Sequence, residues 1–196
     1  MHKTATISLL VITVLLGSGC QTLQQIANLR FVEFDIDRVT NAELASVNLD
    51  RVRSQRDLGA IDLARIGAAL ATGSLPFEFT LHLGAENPSA NNTPARLIAM
   101  DWTLFLEDRE TISGTLDQNI LLPAGQRTDI PIPIRLDLVD FFGHNLTDLV
   151  ELALAVSGQG GRPKDIKIMA QPTIDTPLGP IRYPQPITIA AHNVGS

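Results

Sequence analysis

The chain has 196 residues, a formal net charge of −6, a hydrophobic fraction of 44% and one cysteine. This length fits a single domain of ordinary size. The acidic balance argues against nucleic acid as a partner, because nucleic-acid binders carry basic stripes. It also argues against electrostatic docking on anionic lipid. With one cysteine there is no internal disulfide framework, so the fold must hold by apolar burial alone.

The first 19 residues have the layout of a secretory signal. Lys3 supplies a positive charge, and residues 7–16 are apolar with two exceptions. This run is too short for a bilayer core, which needs roughly 20 apolar residues. Small residues occupy positions 17–19 and Cys20 follows them. We therefore predict that residues 1–19 are an export signal that is removed.

The small residues before Cys20 resemble the lipobox of bacterial lipoproteins, although Gly17 stands where that family prefers leucine. The resemblance implies cleavage before Cys20, lipid attachment (palmitate-type acyl chains) to it, and an anchor and polar spacer over residues 20–29. The alternative is an ordinary secreted protein with a cysteine near its cleavage site. Gln21 is not the aspartate that retains lipoproteins on the inner membrane, which implies an outer-membrane location facing the periplasm.

From residue 30 to residue 196 the dominant pattern is alternation with a period of two, which indicates strands with one buried face. Within 98–106 the pattern places Ile98, Met100, Trp102 and other apolar residues on one inward face. Short strands separated by turn residues predict one all-β domain, an antiparallel sandwich. The alternating runs are 32–36, 45–49, 77–85, 98–106, 112–116, 130–138, 166–170 and 181–189.

Prolines indicate which predicted strands lie at an edge. Pro131 and Pro133 have no N–H to donate to a ladder, so the strand 130–138 should be unpaired on one side. Their side chains fall on the outward face, which suits an edge that resists further pairing. Three further prolines predict the same for the last strand, 181–189, namely Pro180, Pro184 and Pro186.

Two segments have helical spacing instead. Leu63, Ile66 and Leu70 predict a helix near 60–72, with Asp57 or Asp62 at its start and Gly73 at its end. A second apolar stripe predicts a helix near 139–157. We interpret both as amphipathic helices that pack on the sandwich, and partner binding is the alternative. The second stripe consists of Leu138, Phe142, Leu146, Leu149, Ala153 and Val156.

Several short motifs follow one another in the middle of the chain. In order, they are Pro76-Phe77-Glu78-Phe79, Glu86-Asn87-Pro88-Ser89, 97–104 with Trp102, Ser113-Gly114-Thr115, Leu122-Pro123-Ala124-Gly125 and the alternating strand 130–138. This ordered set resembles the late embryogenesis abundant (LEA) type 2 family, also called the water stress and hypersensitive response domain. The segment 176–181 also fits that pattern, and the two helices are similar to those of a bacterial lipoprotein branch of the family.

The resemblance to LEA type 2 proteins has consequences for fold and function. It implies an immunoglobulin- or fibronectin-III-like sandwich of about seven strands. It also implies a role in desiccation and osmotic stress. It carries no catalytic residue, and a fold-level analogy does not by itself give a function.

The sequence predicts no catalytic, cofactor-binding or metal site. His82, His144 and His192 lack the spacing of zinc ligands, and His82 is expected to be a solvated side chain on the polar side of a strand. Asp35 and Asp37 share one strand face, where a solvated pair is the expected arrangement and a calcium or acid–base pair is the alternative. Trp102 is predicted to be a core residue. Asn91 and Asn145 begin formal glycosylation motifs that we interpret as a turn and a helical stretch.

Together these patterns predict a non-enzymatic, membrane-tethered stress or envelope protein that acts through its surface. We expect a monomer without cofactor, held by its N-terminal lipid, with an unidentified envelope protein or lipid as partner. The alternative is a carrier or sensor of an apolar ligand, such as a lipid, held between the sandwich and the helices. A carrier needs a cavity of at least about 300 Å³, whereas an interaction protein should have a filled core.

Overall fold

The computed structural model describes residues 32–91, 93–159, 166–176 and 179–190. The export signal, Cys20 and the spacer lie outside these residues. The described strands are β1 Glu33–Leu44, β2 Val47–Asn48, β3 Pro76–Asn87, β4 Ala95–Leu106, β5 Arg109–Leu116, β6 Ile120–Leu122, β7 Gln126–Asp137, β8 Ile166–Thr176, β9 Gly179–Arg182 and β10 Ile187–Ala190. The described helices are α1 Ala60–Ala71, α2 Leu138–Phe142 and α3 Leu146–Val156, and short 3₁₀ turns cover Gln55–Asp57 and Ser89–Asn91.

The strands form two antiparallel sheets. The first has the order β2-β1-β3-β7, and the second has the order β10-β8-β4-β5, with β6 paired to β4 and β9 paired to β8. Alternate residues are buried along most of β3, β4, β7 and β8, and the inward residues of both sheets belong to one hydrophobic core that also includes the helices. The prediction of an all-β, antiparallel protein is confirmed.

The edge position of β7 follows from its prolines. Among the described strands, β7 is the last of the first sheet and pairs only with β3, with Pro131 opposite His82 and Pro133 opposite Thr80. Both prolines are exposed on the outward face. The predicted edge strand is therefore confirmed.

A bulge in β4 changes the predicted inward face at one residue. The pairing register between β4 and β8 shifts between Leu97 and Ala99. As a result Leu97 is fully buried and Ile98 is only half-buried. The expected inward position of Ile98 was wrong, because an inserted residue reverses the alternation on one side of a bulge. The remaining inward residues of the prediction, from Met100 to Leu106, are buried.

The last predicted strand, 181–189, is two strands. β9 ends at Arg182 and β10 begins at Ile187, and both pair with β8. Pro184 and Pro186 lie in the gap between β9 and β10. A proline has no backbone N–H to donate to the ladder, and its ring fixes φ. The prolines thus interrupt the strand as well as limiting its pairing.

Helix α1 confirms its predicted bounds. The N–H of Gly59, the N-cap residue, donates to Asp62 at 3.2 Å. Gly73, with φ +81°, directly follows the C-cap residue, and its N–H donates to the Leu70 carbonyl at 2.9 Å. Asp57 belongs to the preceding 3₁₀ turn, where it accepts the Ser54 N–H at 2.9 Å.

The predicted single helix over 139–157 is two helices. Gly143 separates α2 from α3 with φ +79° and ψ −157°, a conformation that ends a helix. Asn145 then caps α3 by accepting the Thr147 N–H at 3.1 Å. The end of α3 is buried on nearly all sides, which is typical of a helix inside a core. Its buried residues are Leu149, Val150, Leu152, Ala153, Leu154, Ala155 and Val156.

The helices gather at one end of the first sheet, which we call the helical end. Here β1 ends with Leu44 opposite Phe77, β7 ends with Asp137 opposite Pro76, and the Leu138 N–H donates to the Leu75 carbonyl at 3.0 Å. Glu33 lies at the opposite end, and a strand of 12 residues spans roughly 35 Å. Among the described residues, no helix combines the length and hydropathy that crossing a bilayer requires.

Candidate functional site

Cys20, the one site residue that the sequence predicts, lies outside the described residues. Among the described residues, the two candidate sites lie on the outward faces of the two sheets. The first sheet carries a network of charges around His82, and the second carries an open groove beside Phe105.

Arg127 forms the centre of the charged network. Its guanidinium donates two bonds of 2.6 Å to the carboxylate of Asp35 and one of 3.2 Å to Asp37. The hydrogen bond to Asp35 is the main reason that the pKa of Arg127 lies above its ordinary value. Asp35 and Asp37 lie on a solvated strand face, as expected, since their side chains are 50% and 37% exposed, and Arg127 bridges the two.

Gly84 makes this bridge geometrically feasible. Arg127 starts on β7 and reaches Asp35 on β1, so its side chain must cross β3. A Cβ built on Gly84 would overlap the guanidinium of Arg127. Glycine inside a strand often marks such a close approach.

His82 is not the solvated side chain that the sequence predicted, since only 12% of it is exposed. Its Nδ1 lies 2.9 Å from both carboxylate oxygens of Asp129, and its Nε2 lies 2.9 Å from the hydroxyl of Thr40. Arg38 donates to Asp129 at 3.2 Å. The neighbouring strands β1 and β7 thus enclose an imidazole that period-two alternation alone would leave in water.

The order Thr40 hydroxyl, His82 imidazole and Asp129 carboxylate is that of a nucleophile, base and acid. Burial pushes the pKa of Asp129 upward, but the hydrogen bond and charge of His82, together with Arg38, outweigh it and leave this pKa below its ordinary value. An ionised Asp129 accepts Nδ1–H and leaves Nε2 to accept the Thr40 hydroxyl. Sequence spacing gave no signal for this arrangement, because the partners are 42 and 47 residues away from His82.

Charges of both signs lie beside the imidazole of His82. The Nη2 of Arg38 lies 3.0 Å from its Nδ1, and the carboxylate of Asp129 lies 2.9 Å from the same atom. These contacts join side chains of β1, β3 and β7 across the first sheet.

The second sheet has an outward groove of about 560 Å³. Phe105, Met169 and Pro186 supply its apolar surface, and Glu110 and Asp101 lie among its polar residues. The ammonium of Lys167 lies 5.4 Å from the Phe105 ring centroid. The groove is open and lies on the outer sheet face, not beneath the helices where the sequence had placed a ligand.

Trp102 lies on the inward side of the same sheet. It is 8% exposed and packs in the core, as predicted. It faces Gly114 across the β4–β5 pair, and a Cβ on Gly114 would lie 2.5 Å from Cζ2 of the indole. The ring occupies the space that a side chain on Gly114 would need.

Two buried asparagines hold the turn after β3. The Asn87 amide donates to the carbonyls of Leu122 at 2.9 Å and Thr93 at 3.1 Å, and the Asn91 amide donates to Asn87 Oδ1 at 2.6 Å. Asn91 ends a 3₁₀ turn, so the predicted turn is confirmed and its buried amide is already bonded. Asn145 is the N-cap of α3 rather than part of its helical stretch.

Acidic side chains occur on both sheets and His82 on the first, but they do not converge as metal ligands would. Within the described ranges, no group of three or more His, Cys, Asp or Glu side chains has a geometry that could hold a metal ion. On the first sheet, the hydrogen-bonding positions of His82 are filled by Thr40 and Asp129.

Comparison with known proteins gives only distant likenesses. No family model matches the chain, and no curated protein matches it. Among solved structures, the chain is similar to an Archaeoglobus fulgidus protein at 12% identity, over 59% of this chain and 82% of that one, with a TM-score of 0.35. An Arabidopsis thaliana protein is 19% identical over 59% and 68% of the two chains, with a TM-score of 0.40. A third structure, described as a candidate late embryogenesis abundant protein, is 13% identical over 95% and 84%, with a TM-score of 0.40. These values are too low to assign a family or a function.

Proposed function

We propose that this protein is a membrane-anchored, non-enzymatic lipoprotein of the bacterial envelope that protects against desiccation or osmotic stress through surface interactions. The observation that carries the proposal is the position of Cys20, the sole cysteine, directly after a short apolar run and three small residues. Its lipid holds the protein on the outer membrane, facing the periplasm. The described domain is an LEA type 2-like sandwich of the immunoglobulin or fibronectin-III kind.

Contacts among the motif residues support the LEA type 2-like part of this proposal. Asn87 joins the turn after β3 to Leu122, and its carbonyl accepts the Gly125 N–H at 2.6 Å. Gly125 has φ +70°, which favours glycine. Gly114 accommodates the indole of Trp102. The residues that carry the sequence resemblance therefore have connected structural roles.

The anchor is tested by Cys20→Ala in the producing cell. Without the thiol there is no acylation, and stable membrane attachment requires the acyl chains. We expect an unacylated precursor or a shift into the soluble periplasmic fraction, measured by fractionation after a high-salt wash and by mass spectrometry of the N-terminus. Ser18→Ala is the control and should leave the protein acylated. A Cys20→Ala protein that is fully processed and still resists the wash would contradict the proposal.

The absence of enzymatic activity is a separate part of the proposal, and the Thr40–His82–Asp129 arrangement makes it testable. We expect p-nitrophenyl acetate to be hydrolysed at the same rate by the unaltered protein and by Thr40→Val. The variant keeps the size of the side chain but removes the hydroxyl. Hydrolysis that falls at least about tenfold in Thr40→Val and in His82→Gln, without loss of folding, would make the protein an esterase.

The carrier of an apolar ligand is the second candidate. The groove of about 560 Å³ favours it, since ligand pockets commonly enclose about 300–1,000 Å³. Phe105 and Met169 would contact the apolar ligand. The groove is open to solvent, however, whereas such pockets bury most of the ligand surface.

A further inference from the structure

Helix α1 has an apolar face that is exposed to solvent. At 100° per residue, its exposed residues fall on a single arc. Within this arc Arg65 is the only charged residue, and Ile61 is 71% exposed, the highest value for a large apolar side chain among the described residues. The exposed residues of α1 are Ala60, Ile61, Ala64, Arg65, Ala68 and Ala71.

A surface helix normally turns polar residues to solvent. Helix α3 of the same chain does so, because its exposed positions are Thr147, Asp148 and Glu151. The opposite side of α1 already packs on the core through Ile66. Helix α1 thus has one apolar side against the protein and a second apolar side without a partner among the described residues.

Arginines without a partner occur on α1 and in the segment that leads into it. Within the described ranges, Arg51, Arg53, Arg56 and Arg65 are exposed and their guanidinium groups have no ion pair or hydrogen bond. Every other lysine or arginine among the described residues makes a hydrogen bond or an ion pair within the protein. These partnered residues are Arg38, Arg96, Arg109, Arg127, Arg135, Lys167 and Arg182.

The aspartates of this segment are engaged elsewhere. Asp57 accepts backbone N–H groups from Arg53 and Ser54, and Asp62 accepts that of Gly59. Asp50 accepts from the side chain of Asn48. These bonds leave each carboxylate charged, so the four arginines and three aspartates of the segment 50–65 give it a formal net charge of +1, in a chain with a net charge of −6.

We propose that Arg51, Arg53, Arg56, Arg65 and the exposed face of α1, which we call the basic–apolar patch, dock on an anionic phospholipid membrane. The guanidinium group binds phosphate through paired hydrogen bonds. A helix that lies in the membrane interface buries an apolar face at the headgroup boundary, with basic side chains beside it. The small alanine side chains on the exposed face of α1 let its backbone approach the headgroups closely.

This inference rests on the proposed function, because it assumes that the protein works at a membrane. It does not require the lipid on Cys20. The acidic balance of the whole chain argued against binding to anionic lipid. The patch reverses that argument locally, because screening limits electrostatic interactions to about 10 Å at ordinary ionic strength. Within that range the four guanidinium groups outnumber the three carboxylates of the segment 50–65, so its charge is opposite to that of the whole chain.

The test uses the full-length protein with Ala64→Cys on the exposed arc, labelled with an environment-sensitive fluorophore. Vesicles of phosphatidylcholine, alone or with about 30% phosphatidylglycerol, are added. We expect the label emission to shift to the blue with the anionic vesicles only, and to return in about 0.5 M salt. Gln126→Cys, exposed at the end of β7 away from the helical end, is the matched label control and should not shift.

Charge variants complete the experiment. We replace Arg51, Arg53, Arg56 and Arg65 by glutamine. The concentration of anionic vesicles that gives half of the maximal blue shift should then rise by about tenfold or more. The control, R96Q/R135Q/K167Q/R182Q, removes four positive charges elsewhere and should leave it unchanged. Thermal melting verifies that both variants fold.

An equal shift with neutral vesicles, no shift, or an unchanged response in the R51Q/R53Q/R56Q/R65Q variant would overturn the proposal. A blue shift that grows with protein concentration in the absence of vesicles would also overturn it, and would assign the face to a second copy of the chain. Failure of the anchor is seen separately. A free Cys20 would itself take up the label, which mass spectrometry detects, and the measurement is then repeated with Cys20→Ala added, so that residue 64 carries the only label.

Discussion

At the scale of single residues, Asp137 connects three segments at the helical end. Its Oδ1 accepts the N–H groups of Leu75 at 2.8 Å and Val139 at 3.0 Å, and its Oδ2 accepts the Ser74 hydroxyl. Burial pushes the pKa of Asp137 upward, but these hydrogen bonds outweigh it and leave the pKa below its ordinary value. One carboxylate therefore caps α2 and holds the start of β3.

We predict that Asp137 contributes to the acid sensitivity of the fold. Because its pKa is lowered by folding, its contribution is complete above the unfolded value of about 3.9 and is lost as the pH falls through the lower folded value. Asp137→Asn retains an oxygen for Leu75 and Val139 but does not titrate. The difference in melting temperature between the two proteins should shrink over that pH range.

Asp137→Ala serves as the comparison for this prediction, since it removes the acceptor at every pH. Loss of the cap alone should cost about 0.5–2 kcal/mol. The prediction fails if the melting temperatures of the unaltered protein and of Asp137→Asn differ by a constant amount from neutral pH to about pH 2.5. The pKa of Asp137 would then be the same in the folded and unfolded states.

Two glycines show why a residue type in a strand carries information about its neighbours. Gly84 leaves space for the flexible end of Arg127, which is half-exposed and can move aside. Gly114 leaves space for the indole of Trp102, which is buried and has no such freedom. The second position is therefore the more restrictive, since inserting atoms into a packed core forces strain.

At the scale of elements, sequence periodicity predicted most strands because burial of one face imposes alternation. It failed at Ile98, where a bulge adds one residue and leaves no compositional mark. It also failed over 138–156, where α2 and α3 both cover the core, so that the apolar spacing continues across the break. Gly143 and Asn145 were visible signals for that break.

The network around His82 could not be predicted in the same way. Its members come from β1, β3 and β7, and they meet only because the registers of three strands bring Thr40 and Asp129 to either side of one imidazole. Alternation predicts which face a residue is on, but it does not predict its neighbour across the sheet. The unpaired arginines of the basic–apolar patch also required the structure, since partners decide which charges are free.

The break between α2 and α3 can be tested by a substitution at Gly143. Its effect on the free energy of unfolding has one sign for two helices and the opposite sign for one continuous helix. Gly143 has a backbone conformation that is essentially restricted to glycine, and a Cβ there would meet no atom within 4 Å. Gly143→Ala should therefore destabilise the fold by about 1–3 kcal/mol through backbone strain alone. In one continuous helix the same change would stabilise it by about 1 kcal/mol. Urea unfolding measures the sign.

At the scale of the whole molecule, the start of β1 and the basic–apolar patch lie at different ends of the first sheet. Glu33 begins β1 roughly 35 Å from the helical end. Cys20 precedes Glu33 by 13 positions, and a chain of this length reaches at most about 45 Å. In the proposed arrangement, docking of the patch on the anchoring membrane would lay β1 along the bilayer, with the lipid and the arginines holding opposite ends.

The last prediction separates the interaction protein from the carrier. If α3 is a fixed part of the core, its amide hydrogens should exchange as slowly as those of β4, because its last two turns are buried on nearly all sides. A lid over an apolar ligand would open, and such elements have low local stability. Hydrogen exchange is measured on the full-length protein with and without an extract of envelope lipids.

We expect equal protection of α3 and β4 in both conditions. Low protection of α3 alone that rises with lipid would establish the lid and contradict a static cover. Protection that rises instead at β5 and β8, around Ser113 and Met169, would place a ligand in the outward groove while α3 stays fixed. The continuous burial of α3 from Leu149 to Val156 is the physical reason to expect no change, since opening it would expose the core shared by both sheets.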